Sequence, residues 1–394
     1  MTTDEGLCPT TSEPGELVVD TTQLDMVKQG LAELNIGITK TDPVPAFDLA
    51  LLTLEHRELG AFGSPVADVG PVLGELRARF AGRCGGWTPF LGKNRKMTSQ
   101  FGAYPQTQSM SFWDPDHVEQ TESIFQGDAG AGVRIGLLDT KIYDHEHLKS
   151  VDLRTPDHER FTKPANKLQF NFEEGHGVFA AGLILRQAPR ATLVARHALD
   201  SDGKASAWDF VKKLAEFLED SERVSLIVLA SGCRTYDGQP PLVLRRAIER
   251  LSPHIMIVAA AGNHGAVPGM APESQITRRS ATWPAALPGV VAVSVNEAEY
   301  SPDLPWVTTT IAESEPEAFL STYLKAEKVA MKMPSRTIDF PAGYARWRGT
   351  SCAAAYLGGK IAAGMATGRT AAQALKDLQQ AGTAQVFSWQ LGKS

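Results

Sequence analysis

Four polar residues that lie far apart in the chain have the side chains that acyl transfer requires, namely Asp139, His176, Asn263 and Ser351. A serine hydroxyl becomes a nucleophile when a neighbouring base takes its proton, and histidine is the commonest such base. A carboxylate can orient that histidine, and a side-chain amide can donate a hydrogen bond to the oxyanion that forms. The residue types therefore indicate nucleophilic catalysis by serine, provided that the fold brings the four side chains together.

Ser351 lies in a stretch of small residues, 348–359, whose pattern predicts a tight turn that leads directly into a helix. Glycine and alanine allow other backbones to come close to this helix. The first turn of a helix has unpaired N–H groups and a positive dipole end, which suit a group that carries developing negative charge. Taken alone, Ser351 is better interpreted as the cap of a buried helix. The other three residues reverse that judgement.

Each of those three residues also has an ordinary structural interpretation. Asp139 follows a strand-like apolar run, 133–138, where an aspartate can cap a turn. A lone histidine is more often a satisfied surface or core residue, although His176 stands between two glycines at the start of a predicted helix, which leaves space around its ring. Asn263 follows another buried strand, where asparagine readily takes a left-handed conformation. Since all four ordinary interpretations would have to coincide, we favour one shared site.

From Val133 onwards, the pattern of elements predicts a fold that gathers such residues at one edge. Strands alternate with helices, which predicts the α/β class: a mainly parallel sheet with helices on both faces. Ligands of such sheets collect at the carboxyl ends of the strands, and Asp139 and Asn263 both follow predicted strands. The predicted strands are 133–138, 191–195, 225–229, 255–260 and 290–295, and the predicted helices are 177–186, 207–218, 242–250 and 371–380.

Taken together, these motifs resemble those of the subtilisin-like serine proteases, or subtilases, from about Val133 to about Thr367. The order aspartate, histidine, serine is that of subtilisin. Residues 178, 179 and 355 depart from the family's usual motifs, and residues 297–346 match it poorly. The resembling segments are the aspartate motif at 136–140, the histidine motif at 175–182, the asparagine motif at 260–263, the segment 282–293 and the serine motif at 349–354.

The resemblance implies hydrolysis of peptide bonds by a triad. Ser351 would be the nucleophile, His176 the general base and Asp139 the residue that holds the imidazole. Asn263 and the backbone N–H of Ser351 would donate to the oxyanion. The family also implies a cleft whose edge, 202–205, pairs with an extended peptide. The substrate-binding residues implied in this way are Ser231, Gly232, Gly203, Lys204, Ala260 and Gly262.

The chain is predicted to contain two folded domains. Residues 1–15 resemble a disordered tail, residues 16–105 a small α+β domain, residues 106–132 a connector, and residues 133–394 the subtilisin-like catalytic domain. By resemblance, the α+β domain could be a pro-domain, which assists folding and inhibits the site through its C-terminal tail, residues 91–108. A generic accessory domain is the alternative interpretation.

Composition argues against several other classes of function. The net charge is -6 and hydrophobic residues make up 43% of the chain, so neither nucleic acid nor a membrane is an expected partner. The start of the chain does not resemble a secretory signal, and no apolar run reaches the roughly 18 residues of a membrane helix. We therefore expect a cytoplasmic protein whose partner is a peptide or protein substrate.

Metal and cofactor binding are not indicated. The cysteines (Cys8, Cys84, Cys233 and Cys352) contain no CxxC pair. Residues 144–147 contain two histidines and two acidic residues, which we interpret as a polar loop. Subtilases often bind structural calcium, yet no dense acidic loop here demands it, and we expect no required cofactor.

The leading hypothesis is thus an intracellular serine endopeptidase that processes a specific substrate, such as a peptide natural product or a bacterial effector. Two alternatives remain open. One is a catalytically silent subtilase-like scaffold that binds partners through its N-terminal domain, and the other is a serine esterase with the same chemistry. Cys352 could also act as a nucleophile or a redox switch, although packing within the helix is its expected role.

Overall fold

The computed structural model of the 394-residue chain describes residues 12–55, 68–99, 115–119, 122–156, 169–221, 223–235, 237–265, 277–302, 304–312, 318–331, 336–366 and 368–386. Most of the predicted N-terminal tail and the end of the predicted inhibitory tail, residues 100–108, lie outside these ranges. No helix within them combines the length and the apolar character that crossing a bilayer requires.

The N-terminal part of the chain folds into an antiparallel sheet covered on one face by two helices. Its elements are β1 (Ser12–Asp20), α1 (Leu24–Glu33), β2 (Ile38–Val44), β3 (Leu49–Leu54), α2 (Gly70–Arg83) and β4 (Leu91–Thr98), with 3-10 turns at Thr21–Gln23 and Pro45–Phe47. The sheet order is β2-β3-β1-β4. The first strand alternates, so that Leu17 and Val19 pack against the helices while Val18 faces the rest of the protein.

Strands β2 and β4 were not expected from the sequence. Proline is untypical of a strand interior, but Pro43 lies on β2, an edge strand, where a missing N–H is tolerated. In β4 the fully buried positions include Leu91, Asn94 and Met97, which are spaced by three rather than two and include a polar residue. This strand therefore lacks the alternation by which strands are recognised. In addition, β1 begins at Ser12, before the predicted start of the α+β domain at residue 16.

The main sheet confirms the predicted parallel α/β architecture. Its strands are β6 (Arg134–Asp139), β7 (Asp152–Arg154), β9 (Thr192–His197), β11 (Leu226–Leu229), β12 (Met256–Ala260), β13 (Val290–Val295), β14 (Thr309–Ile311) and β19 (Gln385–Val386). Seven parallel strands lie in the order β14-β13-β12-β11-β6-β9-β7, and the short antiparallel strand β19 pairs with β14.

Helices cover both faces of this sheet because successive strand residues point to opposite sides. The helices are α3 (His176–Gln187), α4 (Ala207–Glu219), α5 (Leu242–Leu251), α6 (Thr350–Met365) and α7 (Ala371–Gln380). Leu137 packs on the face covered by α3 and α6, and Leu138 on the face covered by α4 and α5. The last helix, α7, packs against α6.

The poorly matched region 297–346 contributes strands outside the main sheet. Together with two earlier short strands, they are β5 (Asp116–His117), β8 (Phe170–Asn171), β15 (Phe319–Thr322), β16 (Ala326–Met331), β17 (Arg336–Phe340) and β18 (Tyr344–Trp347). Two three-stranded sheets form, in the orders β15-β18-β5 and β17-β16-β8. The Ser321 and Thr322 hydroxyls of β15 donate to backbone carbonyls of α3, so the β15-β18-β5 sheet supports the helix that begins at His176.

The N-terminal sheet packs face-on against α4 and α5. Val18, Leu49 and Leu51 join the same apolar cluster as Trp208 and Val243. Apolar burial at this contact stabilises the docked arrangement of the two parts.

Acidic side chains of the N-terminal part meet basic and indole groups around that contact. Asp20 pairs with Arg246 at 2.5 Å. Asp42 accepts from the indole N–H of Trp208 and from Lys212, both at 3.1 Å. The interface therefore combines apolar burial with complementary charge.

Candidate active site

The structure brings Asp139, His176 and Ser351 into one hydrogen-bonded chain. His176 Nδ1 lies 2.8 and 2.9 Å from the two carboxylate oxygens of Asp139. On the other side of the ring, Nε2 lies 3.1 Å from the hydroxyl oxygen of Ser351. All three side chains are buried. The residues come from β6, α3 and α6, whose ends meet at the carboxyl edge of the parallel sheet.

Thr140 fixes the relative position of Asp139 and His176. Its backbone N–H donates to Asp139 Oδ1 at 2.7 Å. Its hydroxyl accepts from the N–H of Gly177 at 2.8 Å and donates to the carbonyl of Glu174. One threonine thus ties the end of β6 to the first turn of α3. Its role was not identified from the sequence, although its position directly after Asp139 was visible.

The glycines beside His176 allow other groups to come very close to the backbone. A Cβ on Gly175 would stand 2.1 Å from the Tyr323 ring, and a Cβ on Gly177 would stand 2.4 Å from the carbonyl oxygen of Thr140. These glycines therefore allow neighbouring groups to approach the backbone and hold the start of α3 in place.

Trp347 was missed by the sequence analysis because it lies between the poorly matched region 297–346 and the serine motif, in neither of which it was considered. Its ring meets the His176 ring edge-on at a centroid distance of 5.3 Å. Phe179, which departs from the family's usual histidine motif, packs against the same indole at 5.5 Å. Phe179 therefore contributes an aromatic contact to the indole that packs against the His176 ring.

The amide group of Asn263 faces the hydroxyl of Ser351 across Gly349. Asn263 Oδ1 accepts from the Thr350 N–H at 2.9 Å, which leaves the NH₂ group turned the other way. A Cβ on Gly349 would lie 3.3 Å from Asn263 Nδ2 and 3.4 Å from Ser351 Oγ. Because Gly349 has no Cβ, space for a small polar atom remains between the amide and the hydroxyl. Thr350 also accepts from the N–H of Gly262 at 2.9 Å.

The predicted cleft residues Ser231, Gly232, Gly203 and Lys204 lie beside β4 of the N-terminal part. Strand β10 (Lys204–Ser206) pairs antiparallel with β4 and extends the N-terminal sheet. Both backbone groups of Gly232 bond to Thr98, at 2.8 and 3.0 Å, and the N–H of Ser99 donates to Gly203 at 2.8 Å. The segment 96–99 therefore lies as an extended strand between two stretches of the main domain.

Of the remaining predicted cleft residues, Ala260 ends β12 and Gly262 lies two residues further on, next to Asn263. Gly262 has a φ of 100°, a conformation that side chains disfavour. Within the described ranges, no three His, Cys, Asp or Glu side chains converge so as to hold a metal ion. Within the segment 144–147, His145 is buried, and His147 Nδ1 is hydrogen-bonded to the Tyr344 hydroxyl.

Comparison with known proteins identifies the family. A model of the Peptidase S8, or subtilase, family matches residues 130–377. No curated protein sequence matches the chain. Among solved structures, fervidolysin from Fervidobacterium pennivorans, a keratinolytic enzyme related to subtilisin, is similar with a TM-score of 0.60 at 13% identity. The match covers 95% of this chain and 58% of fervidolysin, and it indicates the same fold.

Two further structures match over a smaller part of this chain. A lanthipeptide protease is 22% identical with a TM-score of 0.47, over 63% of this chain and 79% of that one. The prenylagaramide maturation protease PagA is 18% identical with a TM-score of 0.45, over 61% and 77%. The family model spans more than half of the sequence, and the chain belongs to the subtilase family of serine peptidases.

Proposed function

We propose that this subtilase is a serine endopeptidase that uses Asp139, His176 and Ser351 as its triad. The observation that carries the proposal is the hydrogen-bonded chain from carboxylate to imidazole to hydroxyl, with distances of 2.8 and 3.1 Å. A carbonyl placed next to Ser351 would be attacked by the hydroxyl oxygen while His176 Nε2 takes the proton. The same nitrogen then donates that proton to the leaving amine.

Asp139 would keep the imidazole in the tautomer that leaves Nε2 able to accept a proton. Its carboxylate accepts from Nδ1–H and stabilises the imidazolium that forms during attack. The Thr140 N–H donates to the same carboxylate, which keeps it oriented. This chemistry uses only side chains and backbone groups of the chain, so we propose that no cofactor is required.

Asn263→Ala is expected to lower kcat for peptide cleavage by about 100- to 1000-fold, a range established on the oxyanion asparagine of a subtilisin. The Asn263 amide donates to an oxygen that gains charge only in the transition state, so KM should change little. Steady-state kinetics on a fluorogenic peptide measure both constants. A loss seen mainly in KM would argue that Asn263 binds substrate rather than the oxyanion.

Covalent labelling tests the proposed nucleophile directly. A fluorophosphonate probe should attach to wild-type protein at Ser351, as located by peptide mass spectrometry, and Ser351→Ala should remain unlabelled. Circular dichroism of both proteins shows that they are folded. A folded wild-type protein without a Ser351 adduct would support the alternative of a silent scaffold.

We further propose that the N-terminal domain is an intramolecular inhibitor whose tail occupies the substrate cleft. Support comes from the pairing of Thr98 with Gly232 and of Ser99 with Gly203. These backbone hydrogen bonds are made to residues in the middle of the chain, in an extended conformation. An endopeptidase holds its substrate in this way. Intact-mass measurement of wild type and Ser351→Ala tests whether this tail is cut, since only the wild type would then lose mass.

Neutralising the acidic contacts of the N-terminal domain should expose the site. Burial opposes ionisation of Asp20, but hydrogen bonds from Thr22 and the charge of Arg246 outweigh it and hold the pKa of Asp20 below its ordinary value. Asp42 shows the same balance, with Trp208 and Lys212 as its partners. A carboxylate whose pKa is lowered by its partners stabilises docking at pH values above its ordinary pKa. That stabilisation is lost as the pH falls through the lowered pKa.

We therefore expect docking to weaken only below about pH 4. At neutral pH, Asp20→Asn/Asp42→Asn should label with fluorophosphonate about tenfold faster than wild type, because charge-assisted hydrogen bonds to the core are lost. Asp25→Asn, at an exposed position of α1, is the matched control and should label at the wild-type rate. Equal rates for all three proteins would contradict an occluding role of the domain.

The cellular role that we propose is processing of a peptide or protein inside the cell. Among the described residues, Cys84, Cys233 and Cys352 form no disulfide bond, which suits a reducing compartment. Profiling of cleavage on a peptide library would identify the substrate sequence.

A further inference from the structure

The imidazole of His176 is hydrogen-bonded at both of its nitrogens. Nδ1 lies 2.8 Å from Asp139 Oδ1, and Nε2 lies 3.1 Å from the hydroxyl oxygen of Ser351. A histidine side chain turns about two single bonds, and the second of these torsions has broad energy wells. A ring whose Nε2 bonds to a neutral hydroxyl can therefore turn away from that hydroxyl unless packing prevents the rotation.

Trp347 supplies a packing contact to this ring. The indole and the imidazole meet at a centroid distance of 5.3 Å with an angle of 84° between their planes, an edge-to-face arrangement that aromatic rings prefer. Trp347 lies on β18, four residues before Ser351 in the chain. One short segment thus carries both the nucleophile and the ring that packs on its general base.

The indole is itself enclosed by three aromatic rings. Phe179, Tyr323 and Phe172 pack on it at centroid distances of 5.5, 5.9 and 6.0 Å. All three side chains are at most 2% exposed, and Trp347 is 4% exposed. Because densely packed interiors leave little free space, the indole has little room to turn. We call these three rings around Trp347 the aromatic clamp.

The aromatic clamp is tied to the backbone that leads into α3. The Tyr323 hydroxyl donates to the carbonyl of Phe172 at 2.7 Å. A Cβ on Gly175 would stand 2.1 Å from the Tyr323 ring, so this ring lies directly against the backbone of the residue before His176. The clamp therefore fixes the position of the indole relative to the start of α3.

Parts of the aromatic clamp lie outside the family's motifs. Tyr323 belongs to the poorly matched region 297–346, and Phe179 stands where the histidine motif departs from its usual sequence. The arrangement is therefore a feature of this chain that the motifs alone do not imply.

We propose that Trp347 is a positioning residue that keeps the imidazole of His176 directed at Ser351. The aromatic clamp holds the indole, and the indole limits rotation of the imidazole. Trp347 acts through His176 and takes no part in the proton transfer. The inference rests on the proposed peptidase function and adds a residue on which the rate of that chemistry depends.

Trp347→Leu removes the ring but keeps an apolar side chain, and it should slow the chemical step. Misplacement of a reacting group by about 1 Å can cost about 100-fold in rate, so we expect a loss of about 10- to 100-fold in the rate of fluorophosphonate labelling at Ser351. The value of kcat for a fluorogenic peptide should fall in parallel with little change in KM. Trp347→Phe keeps an aromatic ring and should retain most of the wild-type rate.

Added indole tests whether the missing ring itself causes the loss. Trp347→Ala leaves a cavity lined by aromatic side chains, and apolar cavities opened by substitution bind small aromatic molecules. Indole in solution should therefore raise the labelling rate of Trp347→Ala towards that of Trp347→Phe. It should not accelerate labelling of the wild type, in which the tryptophan side chain fills this space.

Phe340→Leu is the matched control for a general effect on packing. Phe340 is fully buried and packs on Tyr323 at 4.6 Å, so that two rings separate it from the imidazole. Loss of its ring should lower the thermal unfolding temperature, as loss of the Trp347 ring should. Its labelling rate should nevertheless stay close to that of the wild type, because the contact to His176 is kept.

The outcomes separate this inference from the proposed function. A folded wild-type protein that is not labelled refutes the peptidase function and this inference with it. If the wild type is labelled, two results overturn the inference alone: labelling of Trp347→Leu within about threefold of the wild-type rate, well below the loss expected from misplacement, or an equal loss in Phe340→Leu. Failure of indole to raise the rate of folded Trp347→Ala also overturns it.

A further variant serves if circular dichroism shows that Trp347→Leu and Trp347→Ala do not fold. Phe179→Leu keeps the indole and removes one of the rings that support it. This variant should label more slowly than Phe340→Leu, and equal rates for the two would overturn the inference.

Discussion

Ser351→Ala is expected to lower kcat for peptide hydrolysis about a million-fold, the size of effect established for loss of the nucleophile in a subtilisin. The hydroxyl lies 3.1 Å from His176 Nε2, and alanine offers no atom that can attack a carbonyl. Thermal unfolding should change little, because the substitution removes only one oxygen at the start of α6. Product release from a fluorogenic peptide, followed over days for the variant, measures the loss.

Two further variants sharpen this test. Ser351→Ala/His176→Ala should be about as inactive as Ser351→Ala, because residues that act as one unit do not contribute additively. Cys352→Ala should keep at least most of the activity, since Cys352 is buried among apolar residues of the core. If Cys352→Ala were inactive and Ser351→Ala active, the thiol rather than the hydroxyl would be the nucleophile.

Asp139→Asn is expected to lower kcat about ten-thousand-fold without unfolding the protein. Both oxygens of Asp139 lie within 2.9 Å of His176 Nδ1, so the carboxylate can only accept the Nδ1 hydrogen. An amide at this position can instead donate to Nδ1, which favours the tautomer whose Nε2 carries a hydrogen and cannot take one from Ser351. The loss should therefore appear in kcat, with KM nearly unchanged.

The pH profile distinguishes this mechanism from simple structural damage. Activity of Asp139→Asn should recover partly at high pH, where hydroxide replaces the missing base, and fluorophosphonate labelling should slow in parallel. Asp144→Asn is the control, because Asp144 is exposed and only five residues away. A loss below about tenfold in Asp139→Asn would contradict the proposed role of the carboxylate.

The sequence was sufficient for the five consecutive central strands of the parallel sheet because these are recognisable from local composition, whereas the three-residue strands β7 and β14 were not predicted. Residues 226–229 and 256–260 are continuous apolar runs, as expected for strands buried on both faces. Helices α4 and α5 carry apolar residues on one side, and both were predicted within one residue of their observed ends. Membership of the subtilase family followed from motifs that are short and specific.

The N-terminal sheet was predicted less completely, for reasons that are also physical. Strand β4 is polar over much of its length, and its pairing with β10 is made by backbone groups that any residue possesses. Backbone hydrogen bonds leave little trace in side-chain patterns. The docking of segment 96–99 against Gly203 and Gly232 could therefore be proposed by resemblance, whereas the periodicity of the segment gives no indication of it.

By itself, the amino-acid sequence determined the family, the parallel sheet and the identity of the four polar residues, because these depend on residue type and local spacing. Only the tertiary structure decided that Thr140 ties β6 to α3 and that Trp347 meets the His176 ring. Such contacts join residues up to 171 positions apart. They depend on how the ends of separate elements pack, which no local pattern records.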